Sequence, residues 1–254
     1  MTAASAATDP PFRLKLLPLL VVAVLGFGIP LVAASCALTS IKQFHLGVVP
    51  GANLGWLFVQ HGFQLLVALV AIFILKIWFA PADYGLHWPR GRTYILAAIL
   101  WVTFLATLVA AGGAWLDHAL HIRQTAASIF YTRETVWGWS VFEGLYVGPT
   151  EEIPFRALLV TYLAATMPGK LRIGRFNMNW AGVIVAFLFA LAHIQSFWMI
   201  NWVDALVQQI YALTLGVCYA YWLEKSKSVV APIIAHNVGD GLTVVFWALN
   251  IFQA

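Results

Sequence analysis

The chain has 254 residues, of which 62% are hydrophobic and only 9% charged, with a formal net charge of +4 and a mean hydropathy of +0.85. Soluble domains carry about a quarter charged residues, so this composition excludes an ordinary water-soluble globule. It describes an all-α, polytopic transmembrane helical bundle, because a helix satisfies its own backbone hydrogen bonds in lipid. The basic residues are scattered between apolar runs, which excludes a nucleic-acid surface and suits contact with a lipid bilayer carrying anionic headgroups.

Residues 1–11 read as a disordered N-terminal tail, and 12–254 as a single transmembrane helical domain with its core at 136–250. Apolar runs follow at about 16–38, 56–79, 93–116, 136–167, 180–200, 203–223 and 229–250, each near the length of about 20 residues that crosses a bilayer. The first run resembles a signal peptide, with Arg13 and Lys15 before it and the small residues Ala33, Ala34 and Ser35 near its end, before Cys36. Its apolar part exceeds the usual signal length, so an uncleaved helix is expected. The fourth run is long and holds Pro149 and Pro154. The expectation is a short or re-entrant piece near 136–147, then a helix starting near Thr150 as N-cap. That gives about seven helices, or eight if the short piece crosses.

Lys and Arg mark the cytoplasmic side. Arg13, Lys15, Lys76, Arg90, Arg92, Lys170, Arg172, Arg175, Lys225 and Lys227 alternate consistently with Lys42, Arg123 and Arg133, ten against three, which predicts a cytoplasmic N-terminus. Cys36 and Cys218 lack CxxC spacing and read as small apolar side chains.

An ionisable side chain at mid-bilayer costs about 2.5–3.5 kcal/mol on insertion scales, so each one inside a run needs a reason. Glu151, Glu152 and Arg156 lie in the fourth run, His193 in the fifth, and His236 and Asp240 in the seventh; Glu143 is a further one, in the irregular piece. Glu152 and Arg156 are four apart and can neutralise each other on a helix, leaving Glu151 as an unpaired carboxylate suited to general-base work. Low dielectric around such a group is expected to make it hold its proton more tightly than usual. Phe189 and His193 share one helical face, as do His236 and Asp240, so Asp240 can accept from the imidazole and fix its tautomer.

The order EExxxR (Glu151, Glu152, Arg156), FxxxH (Phe189, His193) and HxxxD (His236, Asp240) resembles the CPBP family of intramembrane glutamic endopeptidases, also called the Abi family, which is related to type II CAAX prenyl endopeptidases. DYGLHWP at 83–89 and SVVAPIIAHNVGD at 228–240 are similar to the family in the same way. The resemblance implies peptide-bond hydrolysis in a membrane cavity, with Glu151 as general base, His193 holding the water, and His236 and Asp240 at the positions that support the oxyanion. Glu152, Arg156 and Phe189 would shape the site, and Asn237 is a further possible donor. Prenyl-protein endopeptidases of the family carry asparagine where this chain has Asp240, so the carboxylate is assigned to orienting His236, with His236 as the donor.

The implied partners are a peptide or membrane-protein substrate and the lipid bilayer, in a bacterial inner (cytoplasmic) membrane. No cofactor is expected; Zn2+ at Glu151, His193 and His236 is the alternative, and the HExxH signature of zinc proteases is absent. A proton-coupled transporter and a non-catalytic immunity or scaffold protein are the rival functions, the former expecting paired inverted repeats that the chain lacks.

Overall fold

Helices occupy the described parts of all seven apolar runs, the fifth as two helices with a turn between them. In the computed structural model, which describes residues 13–45, 54–78, 82–91, 93–121, 135–174 and 176–249, α1 is Leu16–Phe44, α2 Leu54–Trp78 and α3 Thr93–Ala119. The helical backbone of α4 runs through 136–166; a two-stranded antiparallel hairpin follows, β1 (Lys170–Ile173) and β2 (Phe176–Asn179). Then come α5 (Trp180–Ala192), the short α6 (Ser196–Met199), α7 (Trp202–Ser226) and α8 (Val230–Ala248). Among the described residues, five stretches are long and apolar enough to cross a membrane: Leu16–Phe44, Leu54–Ile77, Thr93–Leu116, Trp180–Met199 and Trp202–Ser226. The proposed N-terminal tail lies outside the described residues. Cys36 and Cys218 are free and half-buried.

The bundle is arranged around α4. Its residues Leu158, Leu159 and Leu163 are wholly buried and pack with Val22 and Ile29 of α1 and Ala68 and Ile72 of α2. On its other sides α4 meets α5 and α8, while α5 packs along α7 and α3 along α8. The outer faces of α1, α2 and α3 stay apolar and exposed, as with Phe27, Phe73 and Phe104, which is what a lipid-facing surface requires.

The fourth run corrects the sequence expectation. There is no break before Thr150 and no helix start at it: α-helical Val136–Val141 passes into a π-helical turn at Phe142–Tyr146, then α-helix Val147–Glu152, a second π-helical stretch Ile153–Val160, and α-helix Thr161–Thr166. Thr150 lies inside the helix with its hydroxyl bonded to the carbonyls of Tyr146 and Val147 at 3.0 and 2.9 Å. The prolines are accommodated by tertiary means. Pro149 has no N–H for the Leu145 carbonyl four residues back, and Asn237 of α8 supplies that donor from Nδ2 at 3.2 Å. Pro154 is the second residue of the second wide turn, where a helix departs from the regular ladder that a proline ring would obstruct.

The connections bearing most of the basic residues meet at one end. The Lys15 ammonium donates to the Thr166 carbonyl at 2.8 Å, and that of Lys225 to Asn177 in β2 at 2.7 Å. The segment 82–91 docks on the turn between α7 and α8: Val229 N–H donates to Gly85 O at 2.9 Å, Arg90 N–H to Ser226 O at 3.3 Å, and the Ser228 hydroxyl to His87 O. Gly85 has φ +68°, and a Cβ there would meet the Val229 nitrogen at 3.2 Å, so glycine is required twice over.

Candidate active site

Glu152 and Arg156 are one helical turn apart on α4 and form an ion pair at 3.0 Å, both essentially inaccessible. The same Glu152 oxygen, Oε1, also accepts from Nδ1 of His236 on α8 at 2.7 Å. The Arg156 guanidinium lies 4.1 Å above the Phe189 ring and 5.3 Å from that of Tyr219, so cation–π contacts from α5 and α7 complete its surroundings. The pair foreseen from the spacing is therefore the centre of a larger knot that ties four helices together.

His236 is held on every side. Its Nε2 is 3.0 Å from Oδ2 of Asp240 and 3.8 Å from Oε2 of Glu151, and Tyr219 stacks on the ring at 5.3 Å between centroids and 22° between planes. Both ring nitrogens thus face carboxylates, an arrangement in which each carries a proton and donates. Asp240 sits where it can orient His236, the contact expected from the HxxxD spacing.

His193 is at the C-cap of α5, where the helix gives way to a turn. Its Nδ1 is 2.9 Å from the Phe189 carbonyl, and a carbonyl only accepts, so Nδ1 bears the hydrogen and Nε2 of the neutral ring keeps a lone pair. Its backbone carbonyl, freed by the helix end, accepts from Gln209 Nε2 at 2.8 Å and from the Ser196 hydroxyl at 2.8 Å, which fixes the turn against α7. Phe189 lies edge-on to His193, with 4.8 Å between ring centroids.

Glu151, 14% exposed, is not the isolated carboxylate the sequence suggested. Burial penalises its charge, while His193, His236, His61 and Arg156 all interact with it favourably. Glu143, set in the first wide turn of α4, interacts electrostatically with Asp240, Glu151 and His236 and so belongs to the same cluster. Asn237 spends its amide on α4: besides the bond to Leu145, its Oδ1 accepts from Gly148 N–H at 2.8 Å. Helices α4, α5 and α8 therefore bring Glu151, His193, His236 and Asp240 to one place, although the residue count along their runs puts them at different depths.

His61 and Gln64 of α2 were missed. His61 is buried with Nδ1 3.0 Å from the Thr150 hydroxyl, and Gln64 donates to the Thr150 carbonyl at 3.0 Å. The signal was available: two polar residues three apart in an apolar run carry the same cost as those in α4 and α8.

As to metal, the described residues contain no group of three His, Cys, Asp or Glu side chains placed to hold an ion.

Residues 133–242 match the family model of type II CAAX prenyl endopeptidase Rce1-like proteins. The chain carries an Rce1-like domain. The domain extends from just before α4 into α8 and contains every residue of the three motifs, whereas His61 and Gln64 lie outside it. The Rce1-like domain and the apolar helices point to an integral membrane protein with a CAAX-protease-type domain. No curated protein and no solved structure matched the chain.

Proposed function

We propose that the protein is a glutamic intramembrane endopeptidase of the CPBP type in which Glu151 activates a water without a metal. The observation that carries this reading is the convergence on Glu151 of His193 and of His236, whose Nε2 is 3.8 Å away. Glu151 takes one proton of the water while the other hydrogen stays on the oxygen and bonds to the Nε2 lone pair of His193, and the resulting hydroxide adds to the peptide carbonyl carbon. The Nε2–H of His236, held by Asp240 at 3.0 Å before substrate enters, is then shared with the resulting oxyanion. Glu151 then gives its proton to the peptide nitrogen as the C–N bond breaks, releasing an acid and an amine. Glu152 and Arg156 keep His236 in place and perform no chemistry. The setting is a bacterial inner membrane with the N-terminus in the cytoplasm.

The test uses purified protein in detergent with two probes, a quenched prenylated CAAX peptide and a proteome-derived peptide library read by mass spectrometry. Glu151→Gln and His193→Ala are expected to abolish cleavage of whichever probe the wild type cuts, a loss of at least about a thousandfold for the base. Glu151-independent turnover, or no cleavage of either probe, overturns the reading in favour of a transporter or scaffold. Wild-type protein treated with chelator and freed of metal is expected to keep its activity. Stoichiometric zinc by elemental analysis, with activity lost on chelation, overturns the metal-free water.

A further inference from the structure

The catalytic glutamate of the proposed mechanism follows Thr150, and Thr150 is gripped from outside the Rce1-like domain. Two side chains of α2 hold it, one at each polar group: His61 Nδ1 at the hydroxyl, 3.0 Å, and Gln64 Nε2 at the carbonyl, 3.0 Å. The direction of the first bond follows from counting hydrogens. The Thr150 hydroxyl has one, and its contacts to the Tyr146 and Val147 carbonyls, which only accept, use it. The hydroxyl is therefore the acceptor and His61 Nδ1 the donor.

The grip sits where α4 needs it. Thr150 lies between Pro149, which deprives the helix of an N–H, and the second wide turn beginning at Ile153, so its own ladder is weakened on both sides. The His61 ring is in the site as well: it interacts electrostatically with Glu151 of α4, His193 of α5 and His236 of α8, the titratable groups that face it. Phe142 closes its other side edge-on, with 5.1 Å between ring centroids.

Resting on the protease reading above, we infer that His61 is a positioning residue that aims the Glu151 carboxylate by donating from Nδ1 to Thr150, with Gln64 fixing the backbone of the same residue. The domain's catalytic base is thereby set by a helix that the domain does not include. The role is one of geometry, so it acts on turnover more than on substrate binding; a displacement of about 1 Å at a reacting group costs about 100-fold in rate.

The experiment measures kcat, KM and Tm of the full chain on the cleaved probe. His61→Phe is expected to lower kcat about 100-fold at unchanged KM. His61→Asn, whose amide nitrogen lies where Nδ1 does, is expected to stay within about tenfold of wild type, and His61→Gln, whose amide nitrogen lies where Nε2 does, to resemble His61→Phe. Thr150→Val is expected to repeat the loss, and the double substitution His61→Phe/Thr150→Val to be no slower than either single one, because both remove one interaction. A normal kcat in His61→Phe, an His61→Asn as slow as His61→Phe at native Tm, or losses that multiply in the double variant overturn the inference. Should His61→Phe not fold, the order of His61→Asn above His61→Gln decides alone. If Glu151→Gln still cleaves, the protease reading falls and this inference with it; if Glu151→Gln is inactive and the His61 series is flat, only the inference falls.

Discussion

Arg156 is the largest fully buried side chain among the described residues, and its charge is balanced by one carboxylate that it shares with His236. Two charges taken out of water gain little net stability as a pair, but removing one of them leaves the other uncompensated, at about 3–5 kcal/mol. Arg156→Met is therefore expected to lose about 3–5 kcal/mol in denaturant or thermal unfolding. Glu152→Leu/Arg156→Met is expected to recover part of that loss while remaining inactive, because His236 then lacks its Nδ1 acceptor. A native stability for Arg156→Met contradicts this account. Six of the seven motif residues stood out in the sequence because an ionisable group in an apolar run is conspicuous, and Phe189 only through its i,i+4 spacing to His193. The cross-helix bonds were not legible: that Glu152 reaches His236 depends on how α4 and α8 pack, which neither segment encodes alone. His61 escaped for a related reason, since its partner Thr150 lies on another helix.

The closest approach between elements at the site is that of α4 to α8 at Gly148. A Cβ there would stand 2.4 Å from Asn237 Oδ1 and 2.7 Å from the Ile233 carbonyl, so only a hydrogen fits. Gly148→Ala is expected to force α8 outward, costing about 1–3 kcal/mol of stability and, because His236 and Asp240 move with α8, lowering kcat more than it raises KM. An alanine variant with native Tm and kcat overturns the view that this contact sets the distance between the base and His236. The same contact explains why the expected break in the fourth run does not occur. Two prolines within six residues are a sound local signal for interruption, yet Asn237, remote in sequence, fills the missing hydrogen bond, and two wide turns absorb the rest. The positions of the seven apolar runs were legible because hydropathy marks them, whereas the turn that splits the fifth was not. The β1–β2 hairpin was not: its residues are mixed in polarity, and it is secured by Lys225 and by Glu224, which accepts from Asn179 N–H at 2.6 Å.

For the molecule as a whole, the collection of basic connections at one end is a statement about membrane orientation. Lys15, the segment 82–91 with Arg90, the hairpin with Lys170 and Arg172, and Lys225 are linked there by hydrogen bonds, with Lys227 in the adjoining turn, whereas Lys42 lies at the far end of α1. A positive end is retained on the cytoplasmic side and is drawn to anionic lipid at about 1 kcal/mol per basic residue close to the surface. The proposed cytoplasmic N-terminus thus makes a claim about the hairpin, which is far from it in sequence but bound to it through Lys15 and Thr166. In a background with Cys36 and Cys218 replaced, Lys170→Cys is expected to react with a membrane-impermeant maleimide in inside-out vesicles and not in intact cells. His45→Cys, just past the opposite end of α1, is expected to show the reverse. Labelling of Lys170→Cys in intact cells overturns the orientation and with it the side on which the hairpin would meet a substrate.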